Sequence, residues 1–389
     1  MMPSPLEGVR VLDFCSYIAG PYCPALLGDL GAEVLKIEAH RGDQTRYFPS
    51  TLEGETRMFL GANRNKKGIV LDLKQDAARE IVYRLTQTAD VVVENFRPGV
   101  ADRLQIGYEH LSAINPRLIY CSISGYGASG PMRARPGFDQ VLQAMTGIAA
   151  SQGGEGAPQV QVGSVVDYYT ATLAAYGVMA ALFVRERTGM GQKVETSLLQ
   201  GALAMQSGRF IWADHEGREA KRDLAGGINR IFKTKEGHIY ISAHTETFWQ
   251  SLCQTVGLAS LGADPRYNSM SKRSQHVKEL VAMVEEALQA KSAEEWEALL
   301  GAADVPCSVA RPIEDMFDHP QVKALGMVAH TTHPVVGGMR MLGVPIDFSK
   351  MPRRTQQPAP ALGEHTVEIL QSLGYTADQV IELKRAKVI

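Results

Sequence analysis

Short apolar runs alternate with helix-patterned stretches through the first third of this sequence, and that rhythm leaves few folds open. Residues 9–14 (Val-Arg-Val-Leu-Asp-Phe) read as a buried strand, followed by a Gly/Pro turn, a helix near 23–30 and a second strand at 33–37. Strand patterns return at 68–73, 91–94 and 118–124, separated by helical patterns at 76–88 and 100–104. Parallel neighbours cannot be joined by a tight turn and need a crossover, usually a helix. The alternation therefore predicts an α/β protein with a largely parallel sheet covered by helices.

Further on, the spacing predicts a long helix from Asp167 to about residue 188, a strand at 192–196 and a helix over 198–212. A polar stretch at 215–223 reads as a linker. Strands at 231–234 and 238–242 flank Lys235-Glu236-Gly237 as a hairpin, and three amphipathic helical segments follow between 247 and 300. From about residue 330 come turns and short strands, then helical runs at 364–373 and 376–386. A chain of 389 residues exceeds the roughly 250–300 at which a single core stops growing, so two domains are expected.

With 40 basic and 42 acidic residues the formal charge is −2, too balanced a field to draw the chain to nucleic acid or an anionic membrane. The five cysteines are scattered, without a CxxC pair, and the ten histidines form no HxxxH or HxH cluster. These patterns predict reduced thiols and no metal site. The first residues, Met1-Met2-Pro3-Ser4-Pro5-Leu6-Glu7, lack the basic start and apolar stretch of a signal peptide, so a cytoplasmic protein is expected.

Three motifs could carry chemistry. Val162-Gly163-Ser164-Val165-Val166-Asp167-Tyr168-Tyr169 places one acid where the long helix begins; an Asp there commonly serves as a cap, accepting from free backbone N–H groups. Gly125-Tyr126-Gly127-Ala128-Ser129-Gly130 is a literal GxGxxG after a strand, but Pro131 and Pro136 follow it, which argues for a loop rather than a dinucleotide-binding helix. Asn63-Arg64-Asn65-Lys66-Lys67, with Glu94-Asn95-Phe96-Arg97-Pro98-Gly99 and Arg103, could meet phosphates beyond the sheet's strand ends or could be surface charge.

These motifs sit within a wider resemblance. Leu12-Asp13-Phe14 with Ala19-Gly20-Pro21, Leu30-Gly31-Ala32-Glu33-Val34 with Lys36-Ile37-Glu38, Gly42-Asp43, Asn63-Arg64-Asn65-Lys66 and Val93-Glu94-Asn95-Phe96-Arg97-Pro98-Gly99 resemble class III CoA-transferases, the CaiB/BaiF family. Asn115-Pro116-Arg117, Gly130-Pro131, Thr188-Gly189-Met190-Gly191-Gln192 and Leu362-Gly363-Glu364-His365-Thr366 extend the likeness across almost the whole chain.

The resemblance implies a fold and a chemistry. The fold would be a Rossmann-like large domain from both chain ends (1–214 with 330–389) and a smaller α/β domain (224–329), in an interlinked homodimer. Asp167 would be the nucleophile of an acyl-CoA:carboxylate CoA-transferase, forming an acyl-aspartyl anhydride and then an aspartyl-CoA thioester. No metal, and no cofactor beyond coenzyme A as substrate, is implied, and the helix N-terminus is expected to keep Asp167 ionised.

Coenzyme A would be bound by Ile18, Ala39, Leu71, Leu73, Lys74, Asn95, Phe96 and Arg103. Ile18 stands where some relatives carry Gln, and Ala39 where some carry Arg, so His40 and Arg41 could substitute. Phe138 and Asp139 are candidates for positioning. Relatives that racemise acyl-CoA carry Gly-His-Asp where this chain has Gly137-Phe138-Asp139, and Phe cannot carry a proton. The glycine-rich lid of formyl-CoA transferase has a counterpart only in Gly226-Gly227, which argues against oxalate as acceptor. Arg133, Arg135, Asn229 and Arg230 could pair with a second carboxylate, which favours a dicarboxylate such as succinate. The alternatives are an acyl-CoA racemase or isomerase of the same family and a non-catalytic CoA-binding protein.

Overall fold

The computed structural model describes residues 2–152, 156–217 and 228–389. Two compact units emerge, Met1–Phe210 with Pro320–Ile389, and Ile211–His319. Gly226-Gly227 and most of the 215–223 stretch lie outside the described residues.

The first unit is built on a sheet of six parallel strands: β1 (Arg10–Asp13), β2 (Glu33–Glu38), β3 (Lys66–Val70), β4 (Val91–Glu94), β5 (Ile119–Ser124) and β6 (Lys193–Ser197). Their spatial order is β3-β2-β1-β4-β5-β6, so the direction of succession reverses between β1 and β4. The chain fills the intervals with α1 (Ala19–Asp29), α2 (Arg57–Ala62), α3 (Asp76–Thr86), α4 (Val100–Arg103), α5 (Tyr108–Ile114), α6 (Asp139–Met145), α7 (Ile148–Gln152), α8 (Val165–Thr188) and α9 (Leu198–Ala204).

Both sheet faces are covered, which is why the strands read as nearly unbroken apolar runs. Successive strand residues point to opposite faces. Val11, Val91, Val93, Ile119 and Cys121 join a core with α1 and α8, whereas Leu12, Val92 and Tyr120 join a second core with α3. Helix α3 buries Ala78, Ile81, Val82 and Leu85, one stripe at helical spacing, with Asp76 in its first turn and Arg84 in its last. Helix α8 presents Ala171, Ala174, Ala175, Val178 and Ala181 to the first core, and Gly189 ends it in the left-handed region at φ 74°. By length and composition α8 could cross a membrane, but that face is packed in the core.

Two helix boundaries differ from expectation. Helix α1 begins at Ala19 rather than near residue 23, because Pro21 falls in the first turn, where the missing N–H has no intrahelical partner to lose. Helix α9 stops at Ala204 instead of reaching 212; beyond it Gln206 donates to the Ala202 and Thr146 carbonyls and the chain continues in tight turns.

In the second unit, β7 (Ile228–Lys233), β8 (His238–Ala243) and β9 (Cys307–Val309) form an antiparallel sheet. Five helices, not three, follow the hairpin or lie before β9: α10 (Glu246–Thr255), α11 (Ala259–Gly262), α12 (Met270–Gln275), α13 (Val277–Leu288) and α14 (Ala293–Ala302). The Ser269 and Ser292 side chains accept from backbone N–H groups at the starts of α12 and α14, breaking what reads as longer helical pattern.

The chain then returns to the first unit through α15 (Pro320–Ala324), the hairpin β10 (Val328–His333) and β11 (Gly337–Leu342), α16 (Thr366–Ser372) and α17 (Ala377–Arg385). Ile369, Leu370 and Val380 complete the core around α3. The same segment lines the outer edge of β3: His365 donates its N–H to the Gly68 carbonyl (2.9 Å), and Thr366 Oγ1 accepts from the Val70 N–H (3.1 Å).

Candidate active site

Ligands of open parallel sheets bind beyond the carboxyl ends of the strands where strand succession reverses, here past β1 and β4. The two loops that leave those strands are tied together by Asn95. Its Oδ1 accepts from the Ser16 N–H (2.9 Å) and its Nδ2 donates to the Ser16 carbonyl (2.7 Å). Gly20 makes this possible, since a Cβ there would fall 2.6 Å from Asn95 Cγ.

A buried charge network holds the loop after β1 from below. Lys36 donates to the Cys15 carbonyl (2.9 Å) and to Asp43 (3.1 Å); Asp43 in turn accepts from the Tyr17 N–H (3.2 Å). Beside it, Lys66 donates to Asp13 (2.7 Å), the Pro21 carbonyl and Asn63. Burial lowers the Lys66 ammonium to about 8 although Asp13 opposes the shift. For Lys36 the burial penalty is outweighed by Asp13, Asp43 and Glu38, and the net direction is upward. Held this way, Tyr17 takes a left-handed φ of 68° and sets its ring edge-on to Phe138, with centroids 5.4 Å apart.

Beyond these loops lies a cavity of about 450 Å³, whose lining includes Tyr17, Ile18, Asn95, Phe138, Asp139 and Asp167. Arg133 and Arg135 also line it. Asp167 does not cap its helix, contrary to the sequence reading. Helix α8 starts two residues earlier, after Ser164 in the left-handed region, so Asp167 is the third helical residue. The capping carboxylate comes from elsewhere: Asp139 Oδ2 accepts from the Val166 N–H (2.6 Å) and the Asp167 N–H (3.0 Å), and Gln143 donates to its Oδ1. Asp139 is 2% exposed. It reaches this position because Gly137 and Gly125 cross at close range; a Cβ on Gly137 would sit 2.9 Å from Gly125 Cα.

The expected effect of the helix N-terminus, to keep Asp167 ionised, is opposed by the surroundings of its carboxyl group. Burial, and after it the neighbouring Asp139, pushes Asp167 up to about 7. Two of the N–H groups that would favour its anion are taken by Asp139.

Of the other residues singled out, Ile18, Asn95 and Phe96 line the Asp167 cavity, while Ala39, Leu71, Leu73, Lys74 and Arg103 do not. Ala39, Leu71, Leu73 and Lys74 follow the ends of β2 and β3 on the same carboxyl edge of the sheet. The Leu71 side chain is sealed in the core, so only its main chain could meet a ligand; Lys74 and Arg103 are exposed. Asn229 and Arg230 belong to the second unit, on β7.

The Asn63-to-Lys67 run is not a phosphate cradle. Arg64 binds both oxygens of Asp29 (3.0 and 2.6 Å), Asn65 donates to Asp29 and Gln356, and Lys66 is the partner of Asp13, all buried; only Lys67 is partly exposed, paired with Glu368. The GxGxxG run is a loop of turns, as its prolines indicated. Tyr17 was not singled out from the sequence, and Lys36 and Asp43 entered only as residues of the family resemblance, with no role given to them; the available signal was a lysine inside the apolar run Val34-Leu35-Lys36-Ile37. A neighbouring cavity of about 930 Å³, with Glu94, Tyr120, Lys193 and Glu195 on its walls, shares Phe96, Arg97 and Arg133 with the first. Among the described residues no group of three or more His, Cys, Asp or Glu side chains could hold a metal ion.

Comparison with known proteins places the chain in a family. Residues 6–366 match the model of CoA-transferase family III. The chain is 36% identical to succinyl-CoA:glutarate CoA-transferase of Mus musculus, over 95% of this chain and 86% of that protein. It is 33% identical to succinyl-CoA–D-citramalate CoA-transferase of Chloroflexus aurantiacus, over 100% and 98%. The crystal structure of a CaiB/BaiF family protein from Brucella suis superposes with a TM-score of 0.84 at 31% identity, over 96% of this chain and 100% of that one. The chain belongs to CoA-transferase family III, the CaiB/BaiF family, and is an enzyme of that class.

Proposed function

We propose that this enzyme moves CoA between carboxylic acids through a covalent intermediate on Asp167, with a dicarboxylate such as succinate as donor or acceptor. The observation that carries the reading is an ionisable carboxylate facing a cavity at the sheet's reversal point, held by a second carboxylate behind it. The Asp167 carboxylate attacks the donor thioester carbonyl, and the carbon–sulfur bond breaks to give an acyl-aspartyl anhydride and CoA thiolate. The thiolate attacks the aspartyl carbonyl, releasing the donor acid and leaving an aspartyl-CoA thioester. The acceptor carboxylate repeats the sequence in reverse and regenerates the Asp167 anion. One thioester replaces another, so the exchange needs no ATP.

Ile18, Ala39, Leu71, Leu73, Lys74, Asn95, Phe96 and Arg103 are proposed to bind coenzyme A, Leu71 through its main chain. Their places along one edge of the sheet support this. Arg133 and Arg135, exposed on the cavity wall, support a substrate with a second carboxylate. So do the mouse and Chloroflexus relatives, whose names specify succinyl-CoA. Phe138 stands where a racemase of the family would carry a basic residue, which speaks against that alternative.

The strand order is that of doubly wound Rossmann-like sheets, and we read the two units as a large CoA-binding domain and a small α/β domain. An interlinked homodimer is supported by exposed apolar side chains on α8, Tyr176 and Phe183, and by Phe210. Free, mostly buried cysteines accord with a cytoplasmic enzyme.

The test is mass spectrometry of the protein incubated with succinyl-CoA and a pool of acids. A new CoA ester that disappears in Asp167→Ala supports the reading; substantial exchange by Asp167→Ala overturns it.

A further inference from the structure

We infer that Asp139 is a positioning residue that holds Asp167 through the backbone of α8 and, by its charge, favours the uncharged acylated state of that side chain over the free carboxylate. This rests on Asp167 being the nucleophile. Asp139 is not free to bind substrate: three N–H donors occupy its two oxygens, and its side chain is buried. Gln143 extends the hold. Its amide also donates to the Gln161 carbonyl (2.9 Å) and accepts from the Gln161 N–H (2.7 Å), so one pair of side chains on α6 fixes both the segment entering α8 and the first turn of α8.

The chemical consequence follows from charge counting. Free Asp167 is an anion beside another carboxylate in a partly buried site. In both the anhydride and the thioester that charge has gone. Burial and Asp139 therefore penalise only the resting carboxylate and leave the covalent states untouched, which also keeps the carboxylate basic enough to attack. The raised titration of Asp167 is the same preference seen with a proton in place of the acyl group.

Among the described residues, the other charged or titratable groups around Asp167 are Tyr168, the next residue on α8, and those lining the cavity. Arg133 and Arg135 reach the cavity from the loop before α6, Arg97 from the loop after β4, and Tyr17 from the loop after β1. On the α1 side, the Tyr22 ring packs edge-on against Tyr168. Asp139 is the one acid among these groups.

A plain helix cap needs only the Asp139 oxygen that accepts from the Val166 and Asp167 N–H groups, not the charge; Asp139→Asn keeps that oxygen and removes the charge, giving up the Gln143 bond to the other oxygen. Titration of carboxyl-labelled aspartate by NMR, with Asp167→Asn to assign the signal, is expected to place Asp167 near 7 in the native enzyme. In Asp139→Asn it is expected to fall, with burial still holding it above the ordinary carboxylate value. In the transfer assay the acid limb of kcat/KM is expected to move by the same amount. If Asp139→Asn does not fold, Asp139→Ser, which can still cap, gives the same readout. An Asp167 titration that stays in place when the charge is removed overturns the inference. The NMR measurement needs no substrate, so this failure is distinct from transfer activity surviving in Asp167→Ala, which overturns the nucleophile instead.

Discussion

Asn95 and Ser16 exchange two hydrogen bonds across the gap between the ends of β1 and β4, the Asn95 side chain taking both the N–H and the carbonyl of Ser16. The loops on which the cavity rests are thus clasped by one amide. Asn95→Ala leaves a half-buried peptide unit unpartnered and is expected to cost about 1–3 kcal/mol and to raise KM for the acyl-CoA. Urea unfolding and steady-state kinetics check this, and an unchanged unfolding midpoint would contradict it.

Asp167 makes stability depend on pH in a direction opposite to that of a salt-bridged acid. Its folded value of about 7 lies above the ordinary value of about 3.9. The stability it contributes is complete below about pH 4 and lost as pH rises through about 7. Asp167→Asn is uncharged throughout, so it is expected to be more stable than the native enzyme at about pH 8, by on the order of 2 kcal/mol, with the gap closing as pH falls towards 4. Catalysis runs the other way: transfer needs the anion and is expected to fall away below about pH 7.

Lys66 and Asp13 form an ion pair with neither side chain exposed. Removing one partner strands the other's charge in the core. Lys66→Met is expected to destabilise the protein by about 3–5 kcal/mol, whereas the double change with Asp13→Leu recovers part of that loss. Chemical denaturation of Lys66→Met, Asp13→Leu and the double change decides it; equal destabilisation by Lys66→Met and the double change would count against the pair.

Gly137→Ala pushes a methyl group to within 2.9 Å of Gly125 Cα and 3.1 Å of Tyr126 Cε2. The crossing must open, carrying Phe138 and Asp139 with it. A fall in turnover that exceeds the loss of stability, about 1–3 kcal/mol, is the expected result.

Arg133→Ala combined with Arg135→Ala is expected to raise KM about tenfold or more for a dicarboxylate and to leave a monocarboxylate little changed. Paired acceptor kinetics would show it, and equal losses for both acids would remove the argument for a second carboxylate.

The parallel sheet could be read from the sequence because its strands are buried on both faces and carry Val and Ile with little interruption. Helix ends were harder, since they turn on tertiary partners: the first turn of α8 is capped by Asp139, 27 residues earlier, and no local spacing signals that bond. The same limitation governed the charged runs. Arg64 and Lys66 look like surface charge or a phosphate site until the fold brings Asp29 and Asp13 beneath them. Asp167 stood out at first only as an acid before a long helix. That it faces a cavity beside a second carboxylate depends on the Gly125 and Gly137 crossing, which a sequence cannot display.

The C-terminal segment that lines β3 gives the chain a particular history on the ribosome. Val70 finds its Thr366 partner 296 residues later, so at ordinary rates of synthesis the outer strand waits roughly 15–60 s with its hydrogen-bonding edge bare. A nascent or prematurely terminated chain would carry that edge unprotected, open to pairing with its neighbours on the same message. Full-length synthesis closes the edge, and a truncation just before residue 365, which removes both the His365 and the Thr366 partners of β3, is where aggregation begins.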